Sequence, residues 1–320
     1  DGLNRFDGYN FEVLKNEANN SNSLPNNYVH FLLPDQLGNL WFGTNRGIGK
    51  LNPLTGEISK INRDDYPGLR GYIFTHMAFD ANGQIWAMSE KHGINIINSQ
   101  TKEVEIKDDI WGISSFSSVY SDSKFNLWVG TKEGQIFCSK PPYKEFELLT
   151  NNDLGNVGIV NQFIEIDENN IIVATETGPL LVQNQERLTT LTQRGNLRYK
   201  HIQCAYVESP SKIWLGSSEN GLYLITTDDE NNERIYHYSK NPYDNSSLVD
   251  DDVSSIFEDK NGVIWVGTEK GISKFDKYKQ GFTTISLNNN PDEGLVDYNV
   301  WSFSEDYSGN IYIGTKKDLT

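Results

Sequence analysis

Short runs of alternating apolar and polar residues recur along the whole chain, separated by turns rich in Asp, Asn and Gly. In one stretch, residues 253–259 read VSSIFED, the turn KNG follows, and VIWVGT continues to Thr268. Alternation with a period of two predicts strands, and Asn-Gly or Lys-Gly between strands predicts tight hairpins because these residues tolerate positive φ. The pattern therefore predicts an all-β chain of short antiparallel strands.

One segment of the form Asp-x-x-Gly/Asn-x-apolar-Trp-apolar-Gly-Thr occurs seven times along the chain. The copies are DQLGNLWFGT, DANGQIWAMS, DSKFNLWVGT, DENNIIVAT, ESPSKIWLGS, DKNGVIWVGT and DYSGNIYIGT, in chain order. Their tryptophan position is held by Trp41, Trp86, Trp128, Ile172, Trp214, Trp265 and Tyr312. A β-rich repeat of about 45 residues is typical of a propeller blade with four strands.

We therefore predict that residues 1–320 form a single seven-bladed β-propeller. The last copy is followed only by KKDLT, whereas the opening GLNRFDGYNFEVL matches the continuation GISKFDKYKQGFTTIS of the sixth copy. Residues 1–15 are thus predicted to complete blade seven, which closes the ring and removes exposed sheet edges. The predicted blades cover approximately residues 27–66, 70–107, 110–150, 156–192, 197–240, 250–288 and 297–320.

The repeated residues have structural explanations. A ring at the tryptophan position wedges between neighbouring blades and buries about 150 to 250 Å². The repeated aspartate accepts hydrogen bonds from the amides of its own turn, as in Asx turns. These positions therefore predict architecture, and they predict no catalytic residues.

Charge and composition exclude several classes of protein. The chain has 44 Asp and Glu against 28 Lys and Arg, a formal net charge of −16, and no cationic run, so nucleic acid is not a predicted partner. No stretch approaches the about 18 to 20 consecutive apolar residues of a membrane span, and the first residues do not resemble a signal peptide. The sequence therefore predicts a soluble chain.

The segments SNSLPNNYVHFLLPDQLGNLWFGTNRGIGKLNPLTGE and NSSLVDDDVSSIFEDKNGVIWVGTEKGISKFD resemble the two-component regulator propeller repeat. The fourth copy departs from that pattern, since it has no Trp and carries Pro179 after its Gly. The resemblance implies the periplasmic sensor part of an inner-membrane hybrid histidine kinase of Bacteroides type. It implies that the chain senses oligosaccharides and does not catalyse a reaction on them, with no cofactor and no metal. The implied partners are a second propeller, a β-sandwich and a second copy of the full-length protein.

Candidate binding residues lie in the loops that lead into the inner strands. In a propeller these loops share one face, here called the leading-loop face, and the Asp-x-x-Gly hairpins lie on the opposite face, the hairpin face. Aromatic rings beside polar groups suit the C–H faces and hydroxyls of a sugar, although such rings also pack a channel rim. The candidates are Tyr28, Arg70, Tyr72, Trp111, Arg198, Tyr199, Tyr298, Asn299 and Trp301.

Two other functions remain open. The repeat is also similar to that of virginiamycin B lyase, for which the resemblance implies a histidine base and a metal, and His30, His76 or His201 lie near the starts of inner strands. No pair of histidines has metal-ligand spacing. A scaffold that binds no small molecule is the third possibility. The acidic run 250–252 suggests either a cation site, repulsion of anions or simply solvated carboxylates.

Overall fold

A computed structural model describes residues 2–149, 154–191, 197, 200–277, 281–285, 295 and 299–315. Its strands are β1 (Gly2–Phe6), β2 (Phe11–Leu14), β3 (Val29–Pro34), β4 (Leu40–Thr44), β5 (Gly47–Asn52), β6 (Glu57–Ile61), β7 (Phe74–Phe79), β8 (Ile85–Ser89), β9 (Ile94–Ile97), β10 (Val104–Lys107), β11 (Phe116–Ser121), β12 (Leu127–Thr131), β13 (Ile136–Ser139), β14 (Glu147–Leu149), β15 (Val160–Asp167), β16 (Asn170–Thr175), β17 (Gly178–Gln183), β18 (Arg187–Thr190), β19 (Ile202–Ser209), β20 (Lys212–Ser217), β21 (Leu222–Thr227), β22 (Glu233–Tyr238), β23 (Val253–Glu258), β24 (Ile264–Thr268), β25 (Gly271–Asp276), β26 (Gly281–Ile285), β27 (Val300–Glu305) and β28 (Ile311–Thr315). None of the described residues belongs to a helix that is long and apolar enough to span a membrane.

The strands form seven four-stranded sheets, which is the arrangement of a seven-bladed β-propeller. Blades 1 to 6 are β3–β6, β7–β10, β11–β14, β15–β18, β19–β22 and β23–β26, each in sequential order. Blade 7 has the order β27–β28–β1–β2. The predicted fold class is confirmed. The fourth blade is regular despite its departures, since Pro179 lies in β17 opposite Ala174 and Ile172 is fully buried in the tryptophan position.

The two ends of the chain meet in blade 7, as predicted. Strand β1 pairs antiparallel with β28, from Gly2 opposite Thr315 to Phe6 opposite Ile311. The buried Asn4 reinforces the junction, because its Nδ2 donates to the Ile313 carbonyl at 3.4 Å and lies 3.3 Å from the Thr315 hydroxyl. The N-terminal strands therefore supply half of this sheet.

The chain divides into two compact units. The first consists of residues 1–67, 71–75 and 238–320 and contains blades 6, 7 and 1, whereas the second, residues 68–70 and 76–237, contains blades 3, 4 and 5 and most of blade 2. Within the first unit the inner strands β23, β27 and β3 contact in succession, and within the second β11, β15 and β19 do so. The second strands β4, β12, β24 and β28 are buried throughout, so they form the apolar centre of their blades.

Candidate functional site

Each repeated aspartate uses both of its carboxylate oxygens, as blade 3 illustrates. Asp122 Oδ1 accepts the backbone amides of Lys124 at 3.0 Å and Asn126 at 2.8 Å. Its Oδ2 accepts the Asn126 side-chain amide at 2.8 Å and the indole N–H of Trp128 at 3.0 Å. Trp128 is fully buried, so the carboxylate satisfies a donor that cannot reach water. The aspartate thus joins its turn to the core.

The same contact recurs in five of the other six copies, and the fourth copy lacks it because Ile172 holds the ring position. The indole N–H donates to Asp35 from Trp41 at 2.9 Å, to Asp80 from Trp86 at 3.1 Å, to Glu208 from Trp214 at 3.1 Å and to Asp259 from Trp265 at 2.9 Å, and the Tyr312 hydroxyl donates to Asp306 at 3.3 Å. Sequence reasoning expected only the turn amides. The constant separation of six residues between carboxylate and ring, together with the need of a buried indole for an acceptor, was the available signal.

The electrostatics of these pairs fit a structural role. Burial alone would raise the pKa of Asp35, but hydrogen bonds from Trp41, Asn39 and Leu37 outweigh burial and hold the pKa below its usual value. Burial, and then the charge of Asp306, raises the pKa of the Tyr312 hydroxyl to about 12. Both groups therefore keep one protonation state near neutral pH.

The inner strands share a β-bulge at their second residue. The pairing register shifts there in blades 1, 3, 4, 5, 6 and 7. In three blades the bulged residue is small and polar and donates to the backbone of the next blade. Ser117 donates to the Val160 carbonyl at 2.7 Å, Asn161 to the Ile202 carbonyl at 2.8 Å, and Ser254 to the Val300 carbonyl. The bulge therefore serves to join adjacent blades.

Two large rings occupy this bulge position in blades 7 and 1. They are Trp301 and His30, whose ring centroids lie 6.0 Å apart in an edge-to-face arrangement at 86°. His30 Nε2 lies 2.6 Å from the Asn45 side-chain oxygen, while Trp301 is 38% exposed. The candidate Asn299 is buried just before β27. The first unit thus presents an indole and an imidazole at the position where blades 3, 4 and 6 carry a joining residue, and the Asn299 amide lies two residues before the indole.

The candidates Tyr28 and Tyr72 also lie on the leading-loop face of the first unit. Tyr28 is partly buried immediately before β3. Tyr72 is 58% exposed, and Arg63 lies over its ring at 4.3 Å while donating to its hydroxyl at 2.9 Å. Arg63 was not among the sequence-derived candidates. The structure therefore gives Tyr72 a cationic partner. Sequence analysis missed it because residues 63 and 72 lie near opposite ends of the loop that joins β6 to β7, and only the folded loop brings them together.

In the second unit, Arg70 and Trp111 lie in the loops before β7 and β11. Arg70 Nη1 lies 3.0 Å from both oxygens of Asp108, so its charge already has a carboxylate partner. Trp111 is 68% exposed, adopts a positive φ of 56° and makes an edge contact with Phe137 at 6.1 Å. The remaining candidates Arg198, Tyr199 and Tyr298 lie outside the described residues.

The acidic run before β23 contains an ion pair. Asp250 is buried, and its Oδ2 lies 2.8 Å from the Lys270 ammonium and 3.6 Å from that of Lys240. The hydrogen bond from Lys270 to Asp250, and then the charge of Asp250, raises the pKa of Lys270. In the part of the chain that the structure describes, no group of three or more His, Cys, Asp or Glu side chains could hold a metal ion. The carboxylate of Asp250, the first residue of the acidic run, is thus paired with two lysines.

Comparison with known proteins identifies the repeat. The family model described as two component regulator propeller matches residues 23–46, 247–270 and 294–317. The first two of these segments lie within the stretches whose resemblance to this repeat was predicted from the sequence. A comparison with curated proteins gave no match.

Solved structures share the fold. The extracellular domain of the putative hybrid two component system BT4673 from B. thetaiotaomicron is 16% identical with a TM-score of 0.74, covering 96% of this chain and 39% of that one. The corresponding domain of BT3049 is 21% identical with a TM-score of 0.59, covering 95% and 39%. Virginiamycin B lyase from Staphylococcus aureus is 10% identical with a TM-score of 0.65, covering 91% and 96%. This chain thus spans about two fifths of the two extracellular domains.

Proposed function

We propose that this chain is the ligand-sensing propeller in the periplasmic region of a hybrid two-component sensor kinase. Three of its segments match the two component regulator propeller model, and two similar solved structures are extracellular domains of putative hybrid two component systems. Because the chain spans 39% of those domains, a second propeller, a β-sandwich, a membrane helix and a kinase belong to the proposal, as does dimerisation of the full-length protein. In this proposal the propeller binds and does not catalyse.

The ligand in this proposal is an oligosaccharide bound at the leading-loop face of the first unit. The observation that carries it is the replacement of a small joining residue, Ser254 in blade 6, by Trp301 in blade 7. The Trp301 ring is 38% exposed and lies edge-to-face with His30, so part of its apolar surface is accessible to a ligand. The C–H face of a sugar can stack on that surface.

The polar groups around Trp301 suit hydroxyl groups rather than a charged ligand. His30 Nε2 lies 2.6 Å from the Asn45 side-chain oxygen, and imidazole and amide groups each contain both a donor and an acceptor. The cation Arg63 lies over the ring of Tyr72, which uses part of its interaction capacity within the protein. A neutral oligosaccharide therefore matches the chemistry of this face better than a polyanion.

The test is calorimetric titration with oligosaccharides released from xylan, arabinan, mannan and galactan. Both this chain and the complete periplasmic region should be titrated, because a ligand shared with a second domain binds the longer protein more tightly. Trp301→Ala should weaken binding at least about tenfold, since a central aromatic anchor commonly contributes 2 kcal/mol or more. Tyr243→Ala is the matched control, because Tyr243 is 97% exposed and lies in the loop before blade 6.

The result also discriminates among the alternatives. Unchanged affinity for Trp301→Ala together with loss of affinity for changes on the hairpin face would show that the proposed face is wrong. Absence of binding to the complete periplasmic region would favour a scaffold. Conversion of quinupristin, a streptogramin, with loss of conversion in His30→Ala would favour the lyase.

A further inference from the structure

A cavity of about 320 Å³ lies on the hairpin face of the first unit. Blade 1 lines it with residues of its Asp35 hairpin and with Pro53, blade 7 with Glu305, Asp306, Tyr307 and Tyr312, and blade 6 with Lys260. It is thus at the opposite end of the blades from the leading-loop face. Its lining combines apolar groups, three carboxylates, an ammonium group and an exposed phenol ring.

The carboxylate of Glu305 belongs to an inter-blade contact that also occurs in the second unit. The Ser123 amide of blade 3 donates to Oε2 of Glu165 in blade 4 at 2.8 Å, and the Ser123 hydroxyl donates to Glu165 Oε1 at 2.5 Å. In blade 6, the equivalent Lys260 amide donates to Glu305 Oε2 at 2.9 Å. Lys260 has no hydroxyl, however, and Glu305 Oε1 is buried without a hydrogen-bond partner. Both carboxylate oxygens of Glu165 therefore accept a hydrogen bond from Ser123, whereas Glu305 Oε1 has no donor.

A single hydroxyl group fits between Glu305 and the lysine. The Lys260 ammonium lies 3.9 Å from Glu305 Oε1, which is too far for a direct hydrogen bond. An oxygen placed about 2.8 Å from both atoms would accept from the ammonium and donate to the carboxylate. The Lys260 side chain is 51% exposed, so it can move to admit such a group. The pair therefore has the donor and acceptor arrangement that an alcohol satisfies.

Tyr307 provides a flat apolar surface beside that pair. It is 74% exposed, and its position over the blade 1 hairpin depends on Gly38, because a Cβ there would lie 2.0 Å from the ring. The Tyr307 hydroxyl lies 3.4 Å from the Gln36 carbonyl, so the ring is held at both edges. Pro34 and Pro53 add further apolar surface to the cavity.

The other carboxylates of the cavity are already used. Asp35 Oδ2 accepts from Trp41 at 2.9 Å, and Asp306 Oδ2 accepts from the Asn310 side chain at 2.7 Å. Burial raises the pKa of Glu305, and the Lys260 ammonium already lies 3.9 Å from its Oε1. The cavity therefore offers one acceptor, one donor and a ring, and these are not the ligand set of a cation.

We propose that this cavity is a second carbohydrate site, in which one sugar hydroxyl bridges Lys260 and Glu305 while the sugar face stacks on Tyr307. The ligand class is a neutral pyranoside or a residue of a neutral oligosaccharide. The site is separate from the leading-loop face and does not depend on the function proposed for that face.

The experiment uses the full chain labelled with 3-fluorotyrosine and monitored by ¹⁹F NMR, with the Tyr307 signal assigned by its loss in Tyr307→Phe. The probes are the methyl pyranosides of xylose, mannose and galactose at up to about 100 mM, because one ring and one bridged hydroxyl give affinity of millimolar order. The Tyr307 signal should shift saturably. The signals of Tyr9 and Tyr243, which are 90% and 97% exposed, should not.

Variants separate this site from the leading-loop face. Lys260→Met keeps the aliphatic chain but removes the donor, and Glu305→Gln removes the charge of the acceptor, so each should weaken binding about fivefold. Trp301→Ala should leave the Tyr307 titration unchanged. Absence of any shift with all three pyranosides, equal shifts of Tyr307 and Tyr243, or full affinity in both Lys260→Met and Glu305→Gln would each overturn the proposal.

Discussion

Replacing Asp122 by Ala tests the contact between hairpin and core most directly. The substitution removes the acceptor of the Trp128 indole and of the Asn126 amides, and these two residues are 0% and 4% exposed. The chain offers a matched control in Asp228, which makes the same turn on the surface. Asp228 Oδ1 accepts the Asn232 amide at 2.8 Å and Oδ2 its side chain at 3.3 Å, with no tryptophan involved.

The magnitudes follow from which donors can reach water. In Asp122→Ala the indole N–H and the Asn126 side chain stay buried, and each buried unpaired donor costs about 1 to 3 kcal/mol. We therefore expect the free energy of unfolding to fall by about 4 kcal/mol. In Asp228→Ala water replaces the carboxylate, so the expected loss is about 1 kcal/mol. The difference between the two variants measures what burial adds to the same turn.

Urea unfolding monitored by tryptophan fluorescence measures both losses, provided that the slope m is unchanged. A double-mutant cycle of Asp122→Ala with Trp128→Phe isolates the indole contact, and we expect a coupling of about 1 to 2 kcal/mol. Equal losses for Asp122→Ala and Asp228→Ala, or a coupling near zero, would refute the reasoning that the aspartate stabilises the core through the indole.

Three further expectations concern the whole fold. Deleting residues 1–14 removes half of blade 7 and exposes the edge of β28, so the protein should aggregate or melt far below the parent in a solubility and thermal-shift assay; parental melting would contradict the closure. Cys138 and Cys204 are buried and form no disulfide, and burial raises the pKa of Cys138 to about 12, so a thiol reagent should find two groups after unfolding and no reactive Cys138 before it. Burial raises the pKa of Asp35, but hydrogen bonds lower it further, so that the folded pKa lies below 3.8. The ionised Asp35 carboxylate therefore stabilises the fold fully above pH 3.8, and this contribution is lost as the pH falls through the folded pKa. The melting temperature of Asp35→Asn should therefore depend less on pH than that of the parent between about pH 5 and pH 2.5, and identical profiles would contradict this.

The fold could be predicted because a repeat presents the same physical problem seven times. Any one hairpin such as 259–268 is ambiguous, but seven copies at similar spacing define both the blade and the number of blades. The closure by residues 2–14 could be predicted for the same reason, since the missing half of the last copy is recognisable at the start. Even the fourth copy kept its register, because Ile172 fills the buried position that a tryptophan fills elsewhere.

The sites were less accessible to sequence reasoning because they depend on differences between copies. The bulged residue contacts the next blade, for example Asn161 with residue 202, and its role is visible only when spatial neighbours are known. Aromatic content of the leading loops identified Trp301 and Tyr72, but it did not identify His30 as the ring beside Trp301 or Arg63 as the cation over Tyr72. The hairpin-face cavity could not be predicted because Tyr307 and Lys260 lie within the repeated hairpins, whose residues have a structural explanation in the sequence. A binding residue such as Lys260 or Tyr307 is hard to recognise in a repeat, because it still fits the turn that the repeat forms.

The two sites lie at opposite ends of one strand, and this makes their independence testable. Trp301 is the second and Glu305 the last of the six residues of β27, so about 13 Å separates them at the rise of an extended strand. Free-energy changes at that distance normally add within about 0.5 kcal/mol unless the sites share contacts. The double variant Trp301→Ala with Lys260→Met should therefore change the free energy of unfolding and the free energy of sugar binding at each site by the sum of the single effects. Because β27 pairs with β28 without interruption from Ser302 to Glu305, we expect each effect to stay at its own end of the strand. Non-additive affinities would instead show that blade 7 transmits binding from one face to the other.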